Sequence, residues 1–114
     1  MDKKEFKDYI IYDVLAGIEG IHHKGLFGGY GFYLEDTIFG AYMDDDKGLQ
    51  GFFLKARDAF AQELEQAGAQ QFIYTGHTTR GPTAMLYWHI PEELLEDREL
   101  MTEWAYKAWE LSRD

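Results

Sequence analysis

The chain has 114 residues, of which 46% are hydrophobic and 17% aromatic, and its formal net charge is −10. That length suits one domain able to bury roughly two-thirds of its unfolded surface, and such a composition excludes disorder. The lack of cysteine excludes disulfides and thiolate metal sites, and the acidic balance disfavours direct binding to a phosphate backbone.

In chain order, the first predicted element is a helix over residues 4–18. Phe6, Ile10, Val14 and Ile18 recur at helical spacing, Ile11 and Leu15 widen the stripe, and Gly17 and Gly20 mark its end. The opening run MDKKEFKDYIIYDVL carries charges within its apolar stretch, unlike a signal peptide. No stretch approaches the roughly 20 apolar residues of a membrane span, so a cytoplasmic protein with no membrane partner is expected.

Residues 30–43 read as two strands joined by a turn at Glu35-Asp36, with Tyr30, Phe32 and Leu34 alternating against Gly31, Tyr33 and Glu35. The turn Asp44 to Gly48 leads into a third strand, Gly51 to Lys55, which completes an antiparallel meander. Asp58 suits the start of a helix with Phe60, Leu64 and Ala67 on one face, and Gly68 suits the position just past its end. Gln71 to Thr75 reads as a short strand and Gly76 to Pro82 as a loop. Thr83 to Ile90 follows as a strand bulky on both sides, and therefore covered on both faces. Pro91 opens a helical turn to Glu96, and Asp97 caps a final helix running to about Leu111. The order is α-βββ-α-ββ-α, an α+β fold with helices covering a mostly antiparallel sheet.

The segment KGLFGGYGFY, residues 24–33, carries four glycines. A Walker loop needs a Lys and a Ser/Thr after its last glycine, to meet phosphate and magnesium. A dinucleotide loop must open a helix whose N-terminus faces the pyrophosphate. The glycines here run into FYLED, a period-two strand, so neither cradle can be built. Their predicted work is conformational: a sharp change of direction at Gly28-Gly29 and a close approach at Gly31.

This stretch also carries a resemblance. Leu26-Phe27-Gly28-Gly29-Tyr30-Gly31-Phe32-Tyr33 resembles the signature of the TfoX/Sxy N-terminal domain family, with Lys24 at a position usually basic there. Asp36-Thr37-Ile38-Phe39, Phe53-Leu54-Lys55, Phe72-x-Tyr74 and Met85-Leu86-Tyr87-Trp88-x-Ile90-Pro91-Glu92-Glu93 fit its later elements in order, from about Asp13 to Trp109. The resemblance implies a secretion-chaperone-like α+β fold and a regulator of natural competence, or DNA transformation. Such a regulator acts on transcription through a protein partner such as the cyclic-AMP receptor protein. It implies that Lys24, Phe27, Gly28, Gly29, Gly31, Arg80, Tyr87 and Pro91 serve as family motif residues. Longer regulators add a C-terminal helical domain; residues 1–114 are expected to be the N-terminal-like domain alone.

Catalytic chemistry finds little support. The sole serine is Ser112 beside the C-terminus, so a Ser-His or Cys-His arrangement lacks a plausible nucleophile. His22 and His23 are adjacent and face opposite ways on an extended segment; a site built from His77, His89 and a carboxylate is conceivable, but no His-x-x-x-His spacing exists. No catalytic residue, cofactor or metal is expected. Two binding features remain. Lys24, His77 and Arg80 offer an alternative role as a sensor of small anionic ligands. The final helix sets Trp104 and Trp109 on neighbouring stripes and Tyr106 off both, an apolar arc that reads first as core packing and second as an interface patch, with a homodimer left open. From Pro91 onward there are eight acids against three bases, a net −5, which reads first as a solvated acidic helix face and second as a face for a basic partner.

Overall fold

The computed structural model describes residues 2–26, 28–44, 49–74 and 83–113. Asp2 begins the first helix, α1 (Lys3–Tyr9), with a reciprocal cap: its Oδ1 accepts the Glu5 amide at 2.8 Å, and the Glu5 carboxylate reaches back to the Asp2 amide. The helix then widens into a π-helical turn, Ile10–Val14, closed by the Leu15 amide on the Ile10 carbonyl at 2.9 Å. The expected helix over 4–18 is thus shorter and changes pitch. The wider turn brings both apolar stripes inward, so Ile10, Ile11, Val14 and Leu15 are all buried.

Six antiparallel strands follow: β1 (Ile21–Leu26), β2 (Gly29–Leu34), β3 (Thr37–Asp44), β4 (Gln50–Lys55), β5 (Gln70–Tyr74) and β6 (Thr83–His89). They form one sheet in the order β1-β2-β3-β4-β6-β5. The α+β class holds, with one strand more than the sequence announced: β1 pairs with β2 as a hairpin and makes the first edge. β6 lies between β4 and β5, the interior position expected of its bulky residues, but it is not covered throughout, for Leu86 is 44% exposed. An extra residue at Phe39 in β3 shifts the register between Phe32↔Gly40 and Tyr33↔Ile38.

α2 (Asp58–Gln66) ends as its sequence predicts. Gly68 has φ +101°, its amide meets the Glu65 carbonyl at 3.0 Å, and the Ala69 amide meets the Leu64 carbonyl at 2.9 Å, a full Schellman closure. Pro91 differs slightly from expectation. It stands just ahead of a 3-10 turn, Glu92–Glu96, with extended ψ, because its own carbonyl must accept the Leu94 amide. Asp97 caps α3 (Arg98–Ser112) through the Leu100 amide at 3.0 Å, as expected.

α1, its π-helical turn and α3 share one face of the sheet with α2. Phe32, Phe52, Leu54, Ile90, Met101 and Trp104 are among the fully covered side chains there. The opposite face holds a smaller buried cluster of Ala41, Met43, Phe53 and Tyr87, with Leu26, Ile38 and Phe72 against it. No helix among the described residues is long and apolar enough to cross a membrane.

The glycine stretch is the turn and second strand of the β1–β2 hairpin. Gly28 has φ +79° in open space, and a Cβ on Gly29 would fall 2.1 Å from the Tyr42 carbonyl oxygen. Gly28→Ala is therefore expected to cost about 1–2 kcal/mol through backbone strain. Gly29→Ala should cost about 3 kcal/mol, because β2 and β3 must separate to admit the methyl group. Gly25→Ala, where nothing lies within 4 Å, should stay within about 0.5 kcal/mol. Urea denaturation of the three variants checks the ranking; equal midpoints for Gly25→Ala and Gly29→Ala would refute the close approach.

Candidate functional site

The anticipated motif residues do not converge on one pocket. Lys24 is exposed on β1, its Nζ 4.8 Å from the centre of the Tyr33 ring on the neighbouring strand. Gly28 and Gly29 shape the hairpin. Gly31 is buried; an added Cβ would lie 2.9 Å from Ile38 of β3 and 3.2 Å from Tyr33 of its own strand, so side chains of the sheet make this close approach. Pro91 packs near Gly68 and starts the 3-10 turn. Phe27, Arg80 and His77 lie outside the described residues, and of the anticipated anionic pocket only Lys24 can be located.

Tyr87 lies on the face away from the helices, in register with Lys55. Burial pushes its hydroxyl up to about 12, with nearby Tyr33 adding to the effect. The phenol stays protonated at neutral pH, able to donate a hydrogen bond and unable to act as a base. Burial, reinforced by Arg57, pushes the Lys55 ammonium down. His22 stacks on Tyr33, His23 meets Tyr30 edge-on, and His89 Nε2 lies 2.9 Å from the Gln50 carbonyl oxygen. Among the described residues no three His, Asp or Glu side chains group as a metal site.

On α3 the aromatic residues divide. Trp104 is only 2% exposed and donates Nε1–H to Glu63 Oε2 at 2.8 Å. Trp109 is half-buried and donates to the Leu34 carbonyl at 3.0 Å, with the Arg113 guanidinium 4.4 Å from its ring centre. Tyr106, 39% exposed, stays open to solvent. Most of the wide apolar arc is therefore core, and the second stripe covers the β2–β3 end of the sheet.

The clearest concave feature lies elsewhere, where α1, the start of β4 and the 3-10 turn meet. It is a cleft of about 780 Å³. α1 contributes Phe6 and Tyr9, three residues apart and therefore on one helical face. β3 contributes Tyr42, whose ring centre lies 5.3 Å from that of Phe6. β4 contributes Gln50 and Gly51, and the 3-10 turn contributes Glu92, Glu93, Leu95 and Glu96. The three carboxylates are exposed, and among the described residues none of them is ion-paired. Gln50 Nε2 donates to the Tyr42 hydroxyl at 2.6 Å, and Gln50 is itself tied to His89 through its carbonyl. One wall is fixed by Arg98, which lies over the Tyr9 ring and pairs with Asp13 at 2.7 Å.

Sequence reading assigned Phe6 to a core stripe and Glu92-Glu93 to the start of a helical turn. Tyr9 and Tyr42 drew no notice. The signals were an aromatic pair three residues apart on α1 and the acidic run after Pro91. Joining them requires the strand order, which no local pattern encodes.

The sequence model of the TfoX N-terminal domain matches residues 13–112, and the chain belongs to that family. No curated protein matches it.

α3 is locked to α2 through Glu63, which accepts from Lys107 at 2.9 Å as well as from Trp104. These bonds, Lys107 first and Trp104 second, hold the Glu63 carboxyl below its ordinary value of 4.5. A depressed folded-state value means that the contribution to stability is present above the unfolded-state value and is lost as the pH falls through the folded one. The chain should therefore lose stability as the pH drops below about 4.5. Glu63→Gln should be less stable at neutral pH and flatter across that acid window, as urea midpoints collected against pH will read; parallel curves would contradict the linkage.

Proposed function

We propose that this TfoX-family chain is a non-enzymatic regulatory domain that acts on transcription through a protein partner, in the manner of regulators of DNA transformation and natural competence. The family match over residues 13–112 carries this reading. It is a family not known for catalysis, and the chain's only serine, Ser112, spends its hydroxyl on the Ala108 carbonyl at the end of α3. The partner belongs to the transcription machinery, with the cyclic-AMP receptor protein as the first candidate, and the meeting takes place in the cytoplasm.

Charge supports a protein over a nucleic acid. With a net charge of −10, duplex DNA is repelled unless a local basic patch offsets it. Among the described residues the cationic side chains are largely engaged: Lys7 with Asp8, Arg98 with Asp13, Lys107 with Glu63, and Lys24 over Tyr33. The same charge argues against a small anion in the cleft, whose rim holds three carboxylates. Exposed aromatic surface at Tyr106 and Tyr12 adds contact area of the kind that interfaces use.

Affinity capture with the tagged chain should retrieve a transcription factor or a polymerase subunit. Gel-shift titration with duplex DNA at about 0.2 M salt should show no sub-micromolar complex. Sub-micromolar binding that persists at that salt would replace the protein-partner reading with direct DNA recognition.

A further inference from the structure

We infer that the cleft between α1, β4 and the 3-10 turn receives a cationic side chain, Arg or Lys, presented on a basic segment of the protein partner; this rests on the regulatory reading above and gives the partner its chemistry. Three features converge. Phe6 and Tyr9, both half-buried, supply ring surface, which attracts a cation through its quadrupole, with Tyr42 packed against Phe6. Glu92, Glu93 and Glu96 supply carboxylates at the mouth that no basic residue among the described ones neutralises. Tyr42 is 3% exposed, and its hydroxyl accepts from Gln50 Nε2 while no acceptor among the described residues takes its own proton.

The last feature selects a peptide over a free amine. Tyr42 lines the cleft and its hydroxyl has one partner among the described residues, so an occupant that brings an acceptor can take its proton. An Arg or Lys side chain has no acceptor, but the peptide that bears it brings carbonyl groups. A basic segment satisfies both demands, with charge toward the carboxylates and a carbonyl toward Tyr42. Of the described cations, Arg98 lies 5.6 Å from the centre of the Tyr9 ring and is committed to Asp13 and the Leu95 carbonyl, which leaves the three carboxylates to a charge brought by the occupant. His89 is turned to the Gln50 carbonyl.

Isothermal titration of the full chain with a short end-capped peptide whose one charged side chain is Arg, its citrulline counterpart and methylguanidinium tests the assignment. The Arg peptide should bind in the micromolar to low-millimolar range, and the citrulline peptide about tenfold more weakly. Methylguanidinium, which has the same charge and no carbonyl, should also bind about tenfold more weakly. Glu93→Gln and Glu96→Gln should each weaken the Arg peptide by about twofold to fivefold. These are exposed side chains, and a thermal melt verifies that the variants fold. Equal affinity for Arg and citrulline peptides, indifference to both substitutions, or methylguanidinium binding tighter than the peptide would each overturn the assignment. A charge-selective cleft in a chain that captures no transcription partner would sink the regulatory reading alone. A captured partner together with a cleft indifferent to charge would sink this inference alone.

Discussion

The main chains of β2 and β3 meet at Gly29 so closely that no side chain can stand between them; the Tyr42 carbonyl fills the place a Cβ would take. That constraint sets the centre of the sheet. It fixes Tyr42 with its hydroxyl toward Gln50 on β4 and its ring beneath Phe6 of α1. Once Tyr42 is placed, α1 has a ring to pack on, and the cleft has its deepest aromatic wall. A sequence feature that resembles a phosphate cradle thus acts at a distance, by letting two strands close and thereby seating an aromatic side chain of another strand.

The second determinant is the way α3 is fastened. Its N-terminus is tied to the π-helical turn by Arg98 and Asp13, its middle to α2 by Trp104, Lys107 and Glu63, and its last turns to β2 by Trp109 and the Leu34 carbonyl. Indole and guanidinium groups, which have several donors or a fixed donor direction, carry these ties. The helix is therefore held by directional bonds in addition to apolar burial, which fixes its rotation as well as its position. The 3-10 turn that leads into it is held in turn, and with it the three carboxylates at the mouth of the cleft.

Much of this was legible in the sequence, for reasons that can be assigned. Phe60 and Leu64 with Gly68 gave α2 and its end, because helical period and a left-handed closing residue are local properties. Asp97 gave the start of α3 by the same logic. β1 went unread because Ile21-His-His-Lys-Gly-Leu26 alternates nothing: it is an edge strand, exposed along most of its length, and its pairing comes from the hairpin with β2. The first helix was read too long because its periodicity continues through a change of pitch that apolar residues alone do not reveal. The arc of Trp104 and Trp109 was read as core first and as an interface patch second, since a wide apolar arc looks the same whether it faces a partner or a sheet; both indoles pack on the core and only Tyr106 stays outside. The cleft was not legible, since it joins Tyr9, Tyr42 and Glu93 across three elements distant in the chain.

The chain's three tryptophans all belong to the helix-bearing face of the sheet. One indole donates to a carboxylate, one donates to a backbone carbonyl, and the buried Trp88 Nε1 has no partner among the described residues. Their emission thus reports on that one face, and two of the three indoles lie on the last helix itself. The protein carries an internal optical gauge of whether that helix is seated.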